Sequence, residues 1–193
     1  MMIPRVSTAA CWMLLCTTLC LDAQANNAGL AQPLAVGSKA INFELPIVGS
    51  NDYIELKEAY QQGPVVVVVL RGYPGYQCPL CSHQVSSIIN RAKAISAAAA
   101  RVILVYPGDD PKLSRHAQSF LGSRRLPDPI VLVRDDAMAM VTQWGLRWHS
   151  PRETAYPATY VIDKNGRVAW SKVSSSHADR STTEEIMKAL RKL

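Results

Sequence analysis

Apolar residues along the chain follow two alternating periodicities. Residues 65–70 form an unbroken run of five valines and a leucine, typical of a strand buried on both faces. Residues 78–99 then carry apolar side chains at helical spacing, and residues 101–106 form a second apolar run. The pattern therefore predicts a strand, a long amphipathic helix and another strand.

Shorter segments continue this alternation towards the C-terminus. Strands are predicted at residues 41–45, 53–56, 130–133, 158–162 and 167–171, and helices at residues 110–121, 137–144 and 181–193. Asp110 is predicted to cap its helix, and Asn165-Gly166 predicts a hairpin turn with positive-φ positions. Ser181 and Thr182 each precede a glutamate at capping-box spacing. These elements predict an α/β fold whose mixed central β-sheet is sandwiched by α-helices.

The N-terminal residues have the pattern of an export signal. Arg5 precedes an apolar segment over residues 6–21, and Ala23-Gln24-Ala25 follows it, as in a secretory signal peptide. The segment is short for a membrane span, which needs about 20 residues. We expect residues 1–25 to be cleaved, with an uncleaved anchor as the alternative. The mature protein would be periplasmic or secreted, without stable membrane insertion.

The rest of the chain reads as a flexible leader over residues 26–35 and one folded domain over residues 36–193. Hydrophobic residues make up 48% and charged residues 19% of the sequence, which indicates a globular chain. The net charge of +6 comes from scattered basic residues, so no nucleic-acid partner is predicted. No phosphate loop or dinucleotide fingerprint occurs, and no cofactor is predicted.

Cysteine usage points to redox chemistry. Of the five cysteines, Cys11, Cys16 and Cys20 lie in the predicted signal, which leaves Cys78 and Cys81 in the mature chain. A small secreted domain held by disulfides would carry more cysteines at wider spacing. A single close pair in an oxidising compartment therefore favours a redox pair.

The position of this pair explains how it would react. It lies where the predicted buried strand gives way to the long helix, at a helix start whose free N–H groups and dipole favour negative charge. A thiolate there has a lowered pKa and is the nucleophilic form. With Cys78 near the N-cap and Cys81 three residues later, both sulfurs can cycle between dithiol and disulfide.

Two other interpretations of the pair stay open. A structural disulfide is one, although so short a loop constrains the unfolded chain little. A zinc site is the other, but it needs two more ligands, and the four histidines show no metal-ligand spacing. These are His83, His116, His149 and His177. No metal is predicted.

At these residues the chain resembles the thioredoxin-like superfamily, and more narrowly the peroxiredoxins of the alkyl hydroperoxide reductase/thiol-specific antioxidant group. Their active-site pattern is Pro, three residues, Thr or Ser, two residues, Cys. Pro74 and Cys81 match its outer positions, Cys78 stands in place of the Thr, and Gly75 and Pro79 match common forms. The resemblance implies a thioredoxin-like fold, with Cys81 at the peroxidatic position and Cys78 as the first cysteine of a CxxC motif.

A second segment, residues 157–163 followed by Gly166, resembles the stretch that enters a core strand in this family. In thioredoxins the proline there is cis and faces the cysteines. We therefore expect a cis Tyr156–Pro157 bond, with an ordinary trans proline as the alternative.

The chain departs from the peroxiredoxins in one important residue. They carry an arginine at the position aligned with Pro157, where it orients the peroxide. Arg71, just before the cysteine loop, is one candidate to substitute for it, with a simple surface or loop-anchoring charge as the alternative. Arg147 and Arg152 are the other candidates.

The resemblance implies two activities. As a peroxidase, Cys81 would attack a hydroperoxide and Cys78 would condense with the sulfenic acid, while Pro74, Gly75 and Tyr76 position the substrate. As a thiol–disulfide oxidoreductase, Cys78 would attack a protein disulfide and Cys81 would resolve the mixed disulfide. The peroxidase would be reset by an external thiol reductant. A third hypothesis is a metal- or partner-binding module on the same fold.

Overall fold

The computed structural model describes residues 31–99 and 101–193, together with Met1. Apart from Met1, the predicted signal peptide lies outside the described residues, as do residues 26–30 of the leader. In the part of the chain that the structure describes, no helix is both long and apolar enough to cross a membrane.

Strands and helices alternate as the apolar pattern predicts. The strands are β1 (Glu44–Pro46), β2 (Tyr53–Glu55), β3 (Val65–Val69), β4 (Arg101–Gly108), β5 (Ile130–Asp136), β6 (Ala158–Ile162) and β7 (Val168–Val173). The helices are α1 (Leu56–Gln61), α2 (Pro79–Asn90), α3 (Ala92–Ser96), α4 (Leu113–Leu121), α5 (Ala139–Gln143) and α6 (Thr183–Leu190).

Five strands form the central sheet, in the order β5-β4-β3-β6-β7. β3 and β5 both run parallel to β4, while β6 is antiparallel to both β3 and β7. β1 and β2 pair separately as a small antiparallel sheet. The predicted α/β fold with a mixed sheet is thus confirmed.

The valines of β3 divide the core into two layers. Side chains alternate between the faces of a strand, so Val65, Val67 and Val69 pack on the side of α1 and α5. Val66 and Val68 pack on the opposite side, with α2, α4, α6 and both cysteines. Each fully buried valine contributes about 1.5–3 kcal/mol of transfer free energy. Burial of both faces explains why this strand has no polar position.

Three helical segments differ from the prediction. The long helix is divided at Arg91, whose φ of −107° and ψ of 8° leave the helical region. The next helix begins at Leu113, because the Asp110 carboxylate accepts the N–H of Lys112 in a turn ahead of it. α1 was not predicted; Leu56 starts this helix instead of ending the preceding strand.

The hairpin between β6 and β7 also differs in detail. Only Gly166 has a positive φ, of 73°. Asn165 does not need one, because the Asp163 carboxylate accepts the N–H groups of Asn165 and Arg167 and closes the turn. At the last helix, Thr182 and Glu185 form the predicted capping box.

The expected cis bond at Tyr156–Pro157 is wrong. Among the described residues, the cis peptide bond is Asp128–Pro129. Trans is the ordinary state of an X–Pro bond. Here the Tyr156 N–H bonds to Leu146 O and the Pro157 carbonyl accepts the Ser174 N–H, both at 2.8 Å, so the chain enters β6 extended.

Candidate active site

The loop between β3 and α2 is fixed by a close backbone approach. Gly72 has a φ of 69°, and a Cβ added there would overlap the carbonyl oxygen of Pro107. The same oxygen accepts the Tyr73 N–H at 3.0 Å. Glycine is required because it alone tolerates both the positive φ and the contact. The start of the cysteine loop is thereby held against the end of β4.

Cys78 and Cys81 occupy the first turn of α2. Cys78 is the N-cap, with Pro79 directly after it, and its Sγ accepts the backbone N–H of Cys81 at 3.2 Å. Both cysteines are free thiols. They are also nearly sealed, since Cys78 is 3% exposed and Cys81 is 0% exposed. The structure therefore places both cysteines at the start of a helix, as predicted.

The pKa values of the two thiols are shifted in opposite directions. A hydrogen bond from the Cys81 thiol, the backbone N–H of Cys81 and the nearby arginines lower the pKa of Cys78 to about 6, although burial opposes this. The same hydrogen bond, followed by burial, raises the pKa of Cys81. The favoured state is therefore a Cys78 thiolate beside a Cys81 thiol. The resemblance to the peroxiredoxins implied the peroxidatic role for Cys81 instead.

Arg180 supplies a cation at the sulfur. Its Nη2 lies 3.7 Å from Cys78 Sγ. The guanidinium is held by Gln84 Oε1, which accepts from Nη1 at 3.0 Å, and by the carbonyl of His177, which accepts from Nε at 2.8 Å. Arg180 lies in the polar loop between β7 and α6, and no local pattern in the sequence marks it.

Gln84 in turn belongs to a buried polar group beneath the cysteines. Its Nε2 lies 3.5 Å from Ser181 Oγ, and that hydroxyl is 2.7 Å from Thr159 Oγ1. These contacts tie α2 to β6 and to the start of α6. They fix the side chain that orients Arg180.

Arg71 forms a buried ion pair. Its Nε and Nη2 bond to the two carboxylate oxygens of Glu153 at 2.6 and 2.8 Å, and its other contacts are the carbonyl of Arg152 and the hydroxyl of Tyr76. Burial opposes both charges, but their hydrogen bonds raise the pKa of Arg71 and lower that of Glu153. His177 Nε2 lies 3.0 Å from the same carboxylate. The charge of Arg71 is thus largely compensated.

The remaining predicted site residues are distributed around this centre. Tyr76 is 47% exposed and lies under the Arg71 guanidinium, 4.9 Å from ring to cation. Pro74 is half-buried, and Gly75 is exposed with a φ of 105°. Pro157 is buried at the start of β6.

The other candidate arginines are not bonded to the sulfurs. Arg147 donates to the carbonyls of Trp148, Glu153 and Thr154 and so holds its own loop. Arg152 presents its carbonyl to Arg71, while its side chain is exposed. Within residues 31–99 and 101–193, no three His, Cys, Asp or Glu side chains converge as metal ligands would.

A mixed sheet flanked by helices, with a CxxC pair opening a helix beside β3, defines a peroxiredoxin-like thiol-dependent oxidoreductase of the thioredoxin fold. The family profile described as Redoxin matches residues 35–190, and the chain belongs to this family. The resemblance inferred from the motifs is confirmed. The comparison with curated proteins gives no significant match.

Solved peroxiredoxins share the fold. Peroxidoxin BcpB from Mycobacterium tuberculosis is 23% identical, covers 83% of this chain and 98% of its own, and has a TM-score of 0.65. Reduced Prx3 from Vibrio vulnificus, in complex with H2O2, is 18% identical, with coverages of 81% and 99% and a TM-score of 0.68. Reduced 2-Cys peroxiredoxin from Plasmodium vivax is 18% identical, with coverages of 82% and 81% and a TM-score of 0.64.

Proposed function

We propose that this protein reduces hydroperoxides through a dithiol–disulfide cycle in which Cys78 attacks and Cys81 resolves. The observation that carries the proposal is the surroundings of the Cys78 sulfur, which accepts the Cys81 N–H at 3.2 Å and lies 3.7 Å from Arg180 Nη2. Both contacts favour the thiolate, in agreement with the lowered pKa of Cys78. The thiolate is the reactive form at neutral pH. Cys81, fully buried and with a raised pKa, is suited to remain a thiol until it is needed.

The cycle balances in three steps. The Cys78 thiolate attacks the terminal oxygen of a hydroperoxide, so that a sulfur–oxygen bond forms, the oxygen–oxygen bond breaks and Cys78 becomes a sulfenic acid. The rest of the hydroperoxide accepts a proton and leaves as an alcohol, or as water when the substrate is H2O2. The Cys81 thiol then displaces water from that sulfenic acid and forms the internal disulfide. An external thiol reductant donates two electrons and two protons to restore both thiols. Arg180 stabilises the attacking sulfur and the negative charge that develops on the leaving oxygen.

The nearly sealed sulfur favours a small substrate. A hydroperoxide can reach a sulfur that is only 3% exposed more readily than a folded protein disulfide can. A second candidate is disulfide exchange with a partner protein, with the same Cys78-first polarity. Tyr76 and Leu80, both exposed beside the motif, are the apolar side chains that a partner protein would contact in that case.

Single-cysteine variants separate the possibilities. Cys81→Ser should consume one equivalent of H2O2 and hold a sulfenic acid that dimedone traps on Cys78, whereas Cys78→Ser should react no faster than a free thiol. Peroxide consumption by Cys78→Ser would instead assign the attack to Cys81. If Cys81→Ser ignores peroxide but forms a mixed disulfide with oxidised insulin or another protein disulfide, disulfide exchange is the activity.

Export of the protein is part of the same proposal. The basic start, apolar centre and Ala-x-Ala exit of residues 1–25 support cleavage after Ala25 and a periplasmic or secreted location. Mass spectrometry of the protein from cell fractions tests it: a mature N-terminus at Asn26 is expected outside the cytoplasm. An intact N-terminus in the cytoplasmic fraction would reject export.

A further inference from the structure

A second cavity lies apart from the cysteine loop. A cavity of about 460 Å³ is bordered by Pro33, Trp148, Tyr156 and Val173, and none of its lining residues belongs to residues 71–81. Its volume falls within the ~300–1,000 Å³ of small-molecule sites. The proposed redox chemistry uses none of the residues that form it.

The cavity offers an aromatic wall. Trp148 and Tyr156 stack with ring centroids 4.5 Å apart and planes 11° from parallel. Val173 and Pro33 add aliphatic surface. The hydroxyl of Ser174, a cavity-lining residue that is 2% exposed, is buried and has no hydrogen-bond partner among the described residues. The stacked rings and the two aliphatic side chains suit a flat or aliphatic apolar body.

The cavity also contains a cation without a counter-ion. Arg147 Nη1 donates to three backbone carbonyls, but its Nε and Nη2 have no partner within the described part of the chain. No Asp or Glu is among the described residues that line the cavity. Arg147 forms no ion pair with any described carboxylate, since Glu153 on the same loop is taken by Arg71. A half-buried guanidinium in this position favours an anionic group.

We propose that this cavity binds an apolar anion, that is, an organic carboxylate or sulfonate with an aromatic or aliphatic body. The anionic group lies at Arg147 and the apolar body against Trp148 and Tyr156. Because Arg147 is bonded to carbonyls of its own loop and the two rings are stacked on each other, the site is formed before the ligand arrives. The proposal does not rest on the activity of the cysteines.

Two fluorescent probes with nearly the same apolar body test it. 1-Anilinonaphthalene-8-sulfonate carries the anion, and N-phenyl-1-naphthylamine lacks it. The purified protein should bind the sulfonate at one site about tenfold more tightly than the neutral probe at low salt. The difference should shrink in 1 M NaCl, where screening acts over only about 3 Å. Decanoate should displace the sulfonate.

A cavity-filling variant and a matched control locate the site. Val173→Trp should abolish sulfonate binding, and Val36→Trp, at a position 60% exposed and outside the cavity, should retain it. Equal affinity for both probes, binding unaffected by Val173→Trp, or the absence of saturable binding would overturn the proposal. So would loss of a dimer as the probe binds, since a second copy would then be the occupant. If Val173→Trp does not fold, the probe preference and its salt dependence decide.

Discussion

Arg180 Nη2 lies 3.7 Å from Cys78 Sγ, although 102 positions separate the two residues in the sequence. The loop between β7 and α6 therefore brings a positive charge to the thiol that opens α2. The resemblance to the peroxiredoxins implied an arginine at the position of Pro157, whereas in this structure the charge near Cys78 comes from the loop after β7. Arg71, the candidate from the sequence, is instead bound to Glu153.

Arg180→Gln should raise the pKa of Cys78, because it removes a cation from the thiolate. We expect an increase of about one unit, equivalent to about 1.4 kcal/mol. The rate of alkylation by iodoacetamide against pH gives the value, in a Cys81→Ser background so that one thiol is observed. Arg180→Lys should recover part of the shift. If the alkylation rate depended on pH as before the substitution, Arg180 would not influence the pKa of Cys78.

The reactivity of the wild-type protein should depend on pH as expected for an acidic thiol. Iodoacetamide alkylation of reduced Cys78 should reach half its maximal rate near the pKa of about 6 and be flat above pH 8. A free cysteine titrates near pH ~8.5. A midpoint at that ordinary value would mean that the hydrogen bonds to Cys78 do not operate in solution.

Folding stability should follow the same titration. Because the folded pKa lies below that of the unfolded thiol, the folded protein binds fewer protons between these values, and stability rises with pH there. The contribution should be complete above pH ~8.5 and lost as the pH falls through about 6. Urea unfolding of the reduced protein and of Cys78→Ser, compared from pH 5 to 9, measures it. If the unfolding free energies of the two proteins changed with pH in parallel, the lowered pKa of Cys78 would be contradicted.

Gly72→Ala should destabilise the protein by about 2–4 kcal/mol, because the added methyl group meets the Pro107 carbonyl and the φ of 69° is unfavourable for alanine. Gly75→Ala is the matched control. Its φ is also positive, at 105°, but a Cβ there has open space, so only the backbone penalty applies. Thermal unfolding compares the two. Equal losses would show that the contact with β4 is unimportant.

Glu153→Gln should leave the Arg71 charge uncompensated in a side chain that is only 5% exposed. Breaking a fully buried pair costs 3–5 kcal/mol, and we expect about 2 kcal/mol because Glu153 keeps some contact with water. Glu184→Gln breaks an exposed pair with Arg91 and should have no measurable effect in the same denaturation assay. If Glu153→Gln lowered the free energy of unfolding no more than Glu184→Gln does, the Arg71–Glu153 pair would not stabilise the fold.

Parts of the molecule with strong local signals were predictable from the sequence. The β-branched run of β3 and the apolar runs of β4 and β6 gave the central sheet, since burial determines those residues. Cys78 as the start of α2 followed from its place after a buried strand and before Pro79. The capping box at Thr182 likewise depends only on residues three apart.

Other features depend on contacts that no local pattern encodes. Arg180 approaches Cys78 through the path of a polar loop, and its orientation depends on Gln84 in another helix. α1 is six residues long, and its N-cap, Glu55, makes no capping bond with its side chain, so it has no start signal. Pro157 was expected to be cis by analogy with thioredoxins, but backbone bonds to Leu146 and Ser174 accompany the extended trans entry into β6.

The uniform composition of β3 has a consequence for insertions and deletions. Because positions 65–69 are all valine, sliding the strand by two places still leaves valine at three of these five positions. Loss or gain of a residue in the run would therefore change the packing at the two ends of β3 more than in its middle. The turn at Gly63 and Pro64 can absorb a change in length, whereas Gly72 on the other side is held against Pro107. Length variants of the valine repeat should consequently preserve the geometry around the cysteines and alter the connection that precedes β3.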